Sequence, residues 1–422
     1  MRNFFIGASP NIQRDDIWLI IKQIFQPWKW KNEEGVFNFE SQIEKYLNTR
    51  SENDPDYFRA VAFDSARSSL ALLLKEYGIG QGDEVVVPSF TCVVVINSVL
   101  KVGAIPVYID SDLATFNIDL KELERKINSK TKAIIVQHTF GVAVDIPEVR
   151  KIVGNKVKII EDVAHILGGE DAEGRKYGTL GDASVLTFGI EKMMTTLRGG
   201  MVLVKDETVY TKLKEAQKVA PSYSRKRILV WLLNPLIWAI AAPLYFIGLG
   251  KYTMGRMISQ VGHTLGLMGN MMEPCEYKGK WPAWLPSKLP GVFAVVGNNQ
   301  LSKLDQYNQH RREVALIYDN LLGLHYHKYE GYTPLRYPVL VSDPETVFKK
   351  LRQSHVIAGN WYRTFLFTKE EFLKYLHFEP SEYPITQNIT NHVINLPVFI
   401  KVHPEQAERI AEIVKPYLIQ DL

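Results

Sequence analysis

A lysine and a carboxylate are the residues of this sequence best placed for covalent chemistry. Lys192 follows a strand-like apolar run, Ala183 to Phe188, and is followed by Gly199-Gly200 and a second run, Met201 to Lys205. A lysine at the mouth of a sheet can form a Schiff base with an aldehyde cofactor. Asp162, upstream, could keep a pyridine nitrogen protonated and so make that ring an electron sink. The alternative is that Lys192 is an ordinary surface cation.

A phosphate group on such a cofactor would need hydrogen-bond donors and positive potential. A helix N-terminus supplies both through its free backbone N–H groups. The segment DSARSSL, Asp64 to Leu70, opens a predicted helix that continues from Ser69 to Tyr77. We expect Ala66 and Arg67 to offer donors there, with the Arg67 guanidinium adding a charged contact. The alternative is an N-cap serine followed by a solvated arginine.

A sheet is needed to bring these residues together. Apolar runs alternate with helical patterns between Asp64 and Lys205, which predicts a mainly parallel sheet covered on both faces. The predicted strands are Glu84 to Val87, Ile105 to Ile109, Ala133 to Val136, Val157 to Ile160, Ser184 to Phe188 and Met201 to Val204. Ligands bind at the carboxyl ends of such strands, where Pro88, Asp162 and Lys192 can converge. Side chains alternate along a strand, so Glu161 should face away from Asp162.

The last third of the chain predicts a second, smaller α+β domain. A long helical pattern covers Asn298 to Leu322, and Gly323 is placed to end it. A strand, Arg336 to Val341, and two helices, Pro344 to Arg352 and Pro404 to Leu418, follow. We therefore divide the chain into a large domain (1–210), an apolar insertion (211–280), and a bridging helix with a small C-terminal domain (281–422).

Eight segments occur in the order typical of the DegT/DnrJ/EryC1/StrS family of pyridoxal-phosphate sugar aminotransferases, which the sequence resembles. They are DSARSSL, GDEVVVPSFTC, GAIPVYIDSDLATFNID, TKAIIVQHTFG, IIEDVAH, VLTFGIEKMMTTLRGG, QLSKLDQYNQHRREVALIY and INLPVF. The resemblance implies an α/β, aspartate-aminotransferase-like fold (fold type I) and a homodimer. It also implies transfer of an amino group, from glutamate, to a keto-sugar linked to a nucleotide or a lipid, in cell-surface glycan or glycolipid synthesis.

The resemblance also assigns roles to single residues. Lys192 carries the pyridoxal 5'-phosphate and then moves the proton of the reaction. Asp162 pairs with the ring nitrogen, and His165 lies where relatives have Gln or His against the ring hydroxyl. Thr187 matches a serine that binds phosphate, and Cys92 stands where relatives often stack an aromatic ring. No metal is expected, and we class His138 as structural.

Departures from the family pattern leave the activity open. Ala66-Arg67 replaces a usual Gly-Thr, and Phe90 could stack on the cofactor instead of Cys92. No Asn-Tyr-Arg-Met motif, which in many relatives reaches the neighbouring subunit's cofactor, is visible. Some relatives carry histidine at the position of Lys192 and dehydrate their sugar, so the lysine favours amino transfer. The alternatives are a pyridoxal-phosphate dehydratase or lyase, and a membrane-tethered, non-catalytic binding protein on the same fold.

An apolar stretch from Ile228 to Gly250 is not explained by the family. It is long enough to span a bilayer, but the segments on both sides belong to one fold, so the chain must return. Pro235 and Pro243 are expected to break a straight helix. We interpret Ile228 to Met272 as a re-entrant or interfacial hairpin, with Trp231, Trp238 and Tyr245 near the lipid boundary and Arg225-Lys226-Arg227 at headgroups. The alternative is an apolar arm buried in a dimer interface.

Size and composition are consistent with an enzyme of about two domains. The chain has 422 residues, of which 46% are hydrophobic, and a net charge of +4 that gives no case for nucleic-acid binding. Cys92 and Cys275 are the only cysteines, which excludes a disulfide framework and suits a reducing compartment. The first sixteen residues lack the apolar core of a signal peptide. We expect a cytoplasmic protein on the inner face of the cell membrane.

Overall fold

A computed structural model describes residues 4–5, 11–249 and 252–419. Most of the first ten residues, used above to argue against a signal peptide, lie outside the described residues, as do Gly250 and Lys251. Strand β1 (Phe4–Phe5) and helices α1 (Arg14–Ile24) and α2 (Glu33–Leu47) precede the central sheet in the chain.

A seven-stranded sheet forms the centre of the large domain. Its elements in chain order are β2 (Arg59–Phe63), α3 (Ala66–Glu76), β3 (Glu84–Pro88), α4 (Val93–Lys101), β4 (Ile105–Ile109), α5 (Leu120–Lys126), β5 (Thr131–Gln137), α6 (Ile146–Val153), β6 (Lys158–Asp162), β7 (Ala183–Thr187), β8 (Gly200–Val204) and α7 (Glu207–Val219). The strand order is β2-β8-β7-β6-β5-β3-β4. Strand β8 is antiparallel to both β2 and β7, whereas the other pairs are parallel. The predicted α/β fold is therefore confirmed.

The composition of these elements explains why they form. Val85, Val86 and Val87 of β3 are fully buried, as suits a strand covered on both faces. Side-chain oxygens cap several helices. At the start of α3, for example, the side-chain oxygen of Ser65 accepts a hydrogen bond from the Ser68 N–H. Strand β2, RAVAF, was not predicted, and it occupies the edge of the sheet as an antiparallel strand.

The apolar insertion folds as a helical hairpin. Helix α8 (Arg225–Ala241) and helix α9 (Met254–Thr264) are joined through the short strands β9 (Gly248–Leu249) and β10 (Tyr252–Thr253). A Cβ at Gly255 would lie 2.0 Å from the Ala241 carbonyl oxygen, so only glycine permits this close helix contact. The predicted return of the chain is thus present, and we call residues 225–272 the arm.

Two expectations about the arm are wrong. Pro235 lies inside α8 and does not end it, since the helix continues to Ala241. Trp231 is buried against Gly269 of the arm and the guanidinium of Arg198, and so cannot lie at a lipid boundary. Across the described part of the chain, none of the helices has the length and apolarity needed to cross a membrane.

The C-terminal part contains the remaining elements: α10 (Gly291–Leu301), α11 (Leu304–Leu322), β11 (Tyr337–Leu340), α12 (Pro344–Gln353), β12 (Val356–Ile357), α13 (Glu370–Leu373), α14 (Pro384–His392), β13 (Val393–Leu396) and α15 (Pro404–Val414). The single helix predicted from Asn298 to Leu322 is wrong, because α10 and α11 are separated at Ser302 and Lys303. Gly323 ends α11 in a left-handed conformation, with φ of 73°. Strand β11 pairs antiparallel with β13, and β1 pairs parallel with β12.

One hydrophobic core connects these regions. It contains Phe39 from α2, Leu186 from β7, Trp231 from the arm, Phe293 from α10 and Val414 from α15. This core crosses the predicted domain boundaries at 210 and 280. The division of the chain at these two positions stays a prediction.

Candidate active site

All seven residues assigned to the site from the sequence line one cavity at the carboxyl ends of the strands. They are Ala66, Arg67, Cys92, Asp162, His165, Thr187 and Lys192. Five of them, Ala66, Cys92, Asp162, Thr187 and Lys192, are partly exposed although their neighbours in sequence are mostly buried. Partial exposure amid buried neighbours is what facing an internal cavity produces. The fold therefore brings the seven together, and their individual roles stay predictions.

Lys192 lies in the loop between β7 and β8. Its backbone N–H donates to the Gly189 carbonyl over 3.1 Å, and its Nζ lies 4.3 Å from the ring centroid of Trp361. Burial lowers the pKa of Lys192, and the charges of Asp162 and Glu191 offset only part of that shift. A lowered pKa increases the neutral amine, which is the form that acts as nucleophile or base.

Two adjacent carboxylates at the end of β6 point to opposite sides. Asp162 lines the cavity and accepts one hydrogen bond, from the Ala164 N–H at 3.0 Å. Glu161 is fully buried on the other side, where it accepts from the N–H groups of three residues: Gly178, Leu180 and Gly181. Burial raises the pKa of Asp162, and the nearby charge of Lys192 opposes that shift. Asp162 is thus a carboxylate whose charge a cation in the cavity would stabilise.

The hydrogen bonds of His165 define which ring nitrogen carries the proton. Its Nδ1 accepts from the Phe140 N–H at 3.2 Å, so the proton of the neutral ring lies on Nε2. The ring stacks between Phe140 and Trp361, with centroid distances of 5.8 and 5.3 Å. Burial lowers the pKa of His165 well below its usual value, and Lys192 and Arg336 lower it further. His165 therefore offers a neutral N–H donor.

The N-terminus of α3 forms one end of the cavity. Ser65 and Ala66 line it, and Thr187 at the end of β7 faces it. A Cβ at Gly200 would lie 2.0 Å from the Ala66 nitrogen, so the second glycine of Gly199-Gly200 is needed for β8 to approach this helix. First-turn N–H groups have no partners within their own helix, which makes this end suitable for an anion.

The Arg67 side chain is not free to contribute a charge here, contrary to expectation. It forms an ion pair with Glu276, and both side chains are buried. Its Nη2 also donates to the Met271 carbonyl at 2.8 Å. The local spacing could not predict these partners, because they lie far along the chain.

Cys92, and not Phe90, lines the cavity. Phe90 is buried behind it, against the rings of Phe116, Phe140 and Tyr362. The predicted stacking position is thus occupied by the small cysteine side chain. His138 is also structural, since it contacts Glu161 and accepts from the Val144 N–H.

Several cavity residues were not predicted as site residues. They include Gln137, Glu191, Arg198, Met271, Met272 and Phe367. Trp361 and Tyr362, which follow β12, also line the cavity, whereas Arg363 pairs with Glu345. A lone arginine directly before the glycine pair, in the otherwise uncharged segment MMTTLRGGMVLV, was the available signal for Arg198. Nothing in local sequence indicated that Met271 and Met272, at the end of the arm, reach the cavity.

The residues present fit pyridoxal phosphate. Lys192 offers an amine of lowered pKa, Asp162 a carboxylate facing the cavity, and His165 a neutral N–H donor. The α3 N-terminus with Thr187 offers donors for a phosphate. These are the groups that the aldehyde, the ring nitrogen, the ring hydroxyl and the phosphate each require.

Comparison with known proteins places the chain among sugar-modifying enzymes. The model of the DegT/DnrJ/EryC1/StrS aminotransferase family matches residues 12–228 and 276–415, and so omits most of the arm. The GDP-perosamine synthase of Caulobacter vibrioides is 31% identical over 208 residues, which cover 49% of this chain and 54% of that protein. The GDP-perosamine synthase of Vibrio cholerae is 24% identical over 399 residues, 92% of each chain.

A solved structure shows the same fold. Helicobacter pylori PseC, an aminotransferase involved in the biosynthesis of pseudoaminic acid, superposes with a TM-score of 0.72. The two chains are 20% identical, and the superposition covers 98% of each.

Proposed function

Because this chain belongs to the DegT/DnrJ/EryC1/StrS aminotransferase family, we propose that it transfers an amino group from glutamate to a keto-sugar linked to a nucleotide or a lipid. The family confirms the predicted enzyme class, a pyridoxal-phosphate-dependent aminotransferase. The observation that carries the proposal is the convergence of Lys192, Asp162 and His165 on one cavity. The nucleotide-linked form is supported by relatives whose names include a nucleotide, since two of them are GDP-perosamine synthases.

Pyridoxal phosphate, when bound, supplies an aldehyde that takes up the amino group and a pyridine ring that accepts electrons. Asp162 would hold the ring nitrogen, and His165 would donate its Nε2–H to the ring hydroxyl. The Lys192 Nζ would hold the aldehyde of the cofactor, and as a free amine it could take up a proton and return it. Trp361 shields this amine on one side, so fewer water molecules compete for the proton.

The experiment is a transamination assay of purified, cofactor-loaded protein. Glutamate and a panel of nucleoside-diphosphate keto-sugars would be supplied, and both 2-oxoglutarate and the amino-sugar would be measured. We expect equal amounts of the two products with at least one keto-sugar. Loss of a sugar hydroxyl without formation of 2-oxoglutarate would instead show a dehydratase. Protein that binds no cofactor would support the non-catalytic alternative.

We also propose that the protein is a homodimer that contacts the inner face of the cell membrane through the arm. Helix α9 exposes Met257 and Val261 on one face, and Leu265 follows at the next turn. Other exposed apolar side chains of the arm are Ile240, Ile247, Tyr252, Met254 and Leu267. Arg225 and Lys226, at the start of α8, are exposed as well. A segment that exposes both apolar and basic side chains favours a surface of anionic lipid.

Liposome binding tests this contact. A variant carrying M257Q, V261Q and L265Q should lose co-sedimentation with vesicles of phosphatidylglycerol and phosphatidylcholine. V219Q is the matched control, because Val219 is 82% exposed on α7, outside the arm. Sedimentation velocity of both variants would report the subunit number. If the triple variant became monomeric and wild-type protein ignored the vesicles, the arm would be a dimer interface and the membrane proposal would fail.

A further inference from the structure

Arg198 is a buried cation with unused hydrogen-bond donors. It directly precedes Gly199-Gly200, is 2% exposed, and lines the cavity. Its Nη1 donates to the carbonyl oxygens of Asn270 and Met271 at 3.2 and 3.1 Å. Among the described residues, neither its Nε nor its Nη2 has a hydrogen-bond partner. Buried donors of a charged group are costly to leave unpaired, so a ligand for them is expected.

Two tryptophans hold this guanidinium in place. Its central carbon lies 5.3 Å from the ring centroid of Trp231, in the arm, and 4.9 Å from that of Trp284. These contacts are cation–π interactions, which stabilise the charge without using an N–H donor. The side chain is therefore held in position by contacts that use neither Nε nor Nη2.

The nearby acidic side chain does not take up these donors. Asp64 uses its Oδ1 to accept from the Ser287 N–H, and its Oδ2 has no partner among the described residues. Burial by itself would lower the pKa of Arg198, but Tyr223 and Asp64 raise it overall, so the guanidinium is charged. The Tyr223 hydroxyl interacts with the guanidinium, whereas no hydrogen bond joins the Asp64 carboxylate to its Nε or Nη2.

The cavity end beside Arg198 is built for an anion. Ser65 and Ala66, at the N-terminus of α3, line the same cavity, and Gly200 packs directly against them. The other arginine there, Arg67, is neutralised by Glu276. Arg198 is thus the one cavity-lining arginine, within the described residues, that no carboxylate pairs.

We propose that Arg198, together with the N-terminus of α3, binds the phosphate of the cofactor. The inference rests on the proposed function, since it requires pyridoxal phosphate to be the ligand. It assigns to Arg198 the charged contact that the sequence had suggested for Arg67. The phosphate would then receive a cation from the chain that also holds Lys192.

The test compares two cofactor forms that differ by the phosphate alone. Apoprotein would be titrated with pyridoxal phosphate and with pyridoxal, and the two dissociation constants obtained from absorbance. We expect R198Q to weaken binding of pyridoxal phosphate about 10- to 100-fold, the range for a hydrogen bond to a charged group. Its affinity for pyridoxal should change less than about threefold, and R198K should recover part of the loss.

A control and a second measurement keep the result interpretable. The double variant R150Q/D182N removes an ion pair whose residues do not line the cavity, and it should leave the ratio of the two constants near that of wild type. Inorganic phosphate should quench the fluorescence of wild-type apoprotein, through Trp231 and Trp284, and should not quench that of R198K to the same extent. This second comparison holds even if R198Q does not fold.

Equal weakening of both cofactor forms in R198Q, or phosphate quenching unchanged in R198K, would overturn the proposal and make Arg198 a structural partner of Asp64. Wild-type protein that bound neither pyridoxal phosphate nor pyridoxal would contradict the proposed function itself. The two failures are therefore distinguishable.

Discussion

The cavity has two walls of different origin. One wall consists of strand ends and the loops that follow them, and it carries Asp162, Thr187 and Lys192. The other wall comes from the end of the arm, where Met271 and Met272 line the cavity and the Met271 carbonyl accepts from Arg67 and Arg198. The first wall holds the reactive groups, whereas the second holds the cations in place.

The two walls differ in how far apart in the sequence the residues lie that hold them in place. Strand ends bring their side chains together because the sheet is parallel, so each residue needs only its own strand. The arm reaches the cavity through contacts far along the chain, such as Trp231 with Gly269 and with Arg198. A change in the strand wall should therefore affect the chemistry, and a change in the arm wall should affect how firmly the cofactor is held.

Loss of the amine should have the largest effect. Lys192→Ala is expected to abolish transamination, since no other described lysine lines the cavity, while noncovalent cofactor binding remains. Borohydride reduction followed by peptide mapping should fix the cofactor on Lys192 in wild-type protein. An unmodified Lys192 in cofactor-saturated, reduced protein would show that this wall is not where the chemistry occurs.

Asp162→Asn should lower kcat by about a hundredfold or more, because a neutral amide cannot stabilise a protonated ring nitrogen. The apoprotein should be as stable as wild type or more so. A carboxyl group whose pKa is raised on folding costs stability at neutral pH, and asparagine removes that cost. Thermal melts and steady-state kinetics measure the two effects. Activity near that of wild type would show that a different acid pairs with the ring.

Trp231→Ala should destabilise the cavity wall that the arm forms and should have little effect on kcat. Truncation of a buried tryptophan costs about 3–5 kcal/mol of stability. We therefore expect a lower Tm and weaker cofactor affinity, with kcat at saturating cofactor within about threefold of wild type. A fall in kcat as large as that of Asp162→Asn would remove the distinction between the walls.

The smallest effect concerns the pH dependence of stability. The pKa of His165 is lowered on folding, so the unfolded state binds its proton first as the pH falls. The contribution of His165 to the free energy of unfolding should be fully present above its unfolded-state pKa of 6.5. Below that pH it should decrease, by at most about 1.4 kcal/mol per pH unit for one proton. Denaturant unfolding between pH 8 and pH 5 measures this slope. His165→Gln should flatten it, and an unchanged slope would assign the effect to another group.

The sequence was informative where short-range signals determine the structure. Strands β3 to β8 were located to within two residues, because their apolar runs are bounded by turn residues and helices. The alternation of side chains along β6 correctly separated Asp162 from Glu161. The left-handed Gly323 was correctly placed at the end of α11.

Tertiary contacts decided the features that were not predicted. The break between α10 and α11 at Ser302 and Lys303 lies inside a continuous helical pattern. The Lys303 side chain there binds Asp15 and Asp16 of α1, and no local signal marks such a partner. In the same way, Pro235 is accommodated within α8 because packing of that helix outweighs one missing backbone donor.

The Met271 carbonyl oxygen has a consequence for how the arm and the site move. It is a single acceptor for two guanidinium groups, those of Arg67 and Arg198. A displacement of this peptide group would lengthen both hydrogen bonds together, and each arginine would lose a restraint at the same moment. A movement of the arm that displaces Met271 would therefore weaken the positions of both arginines at the charged end of the cavity.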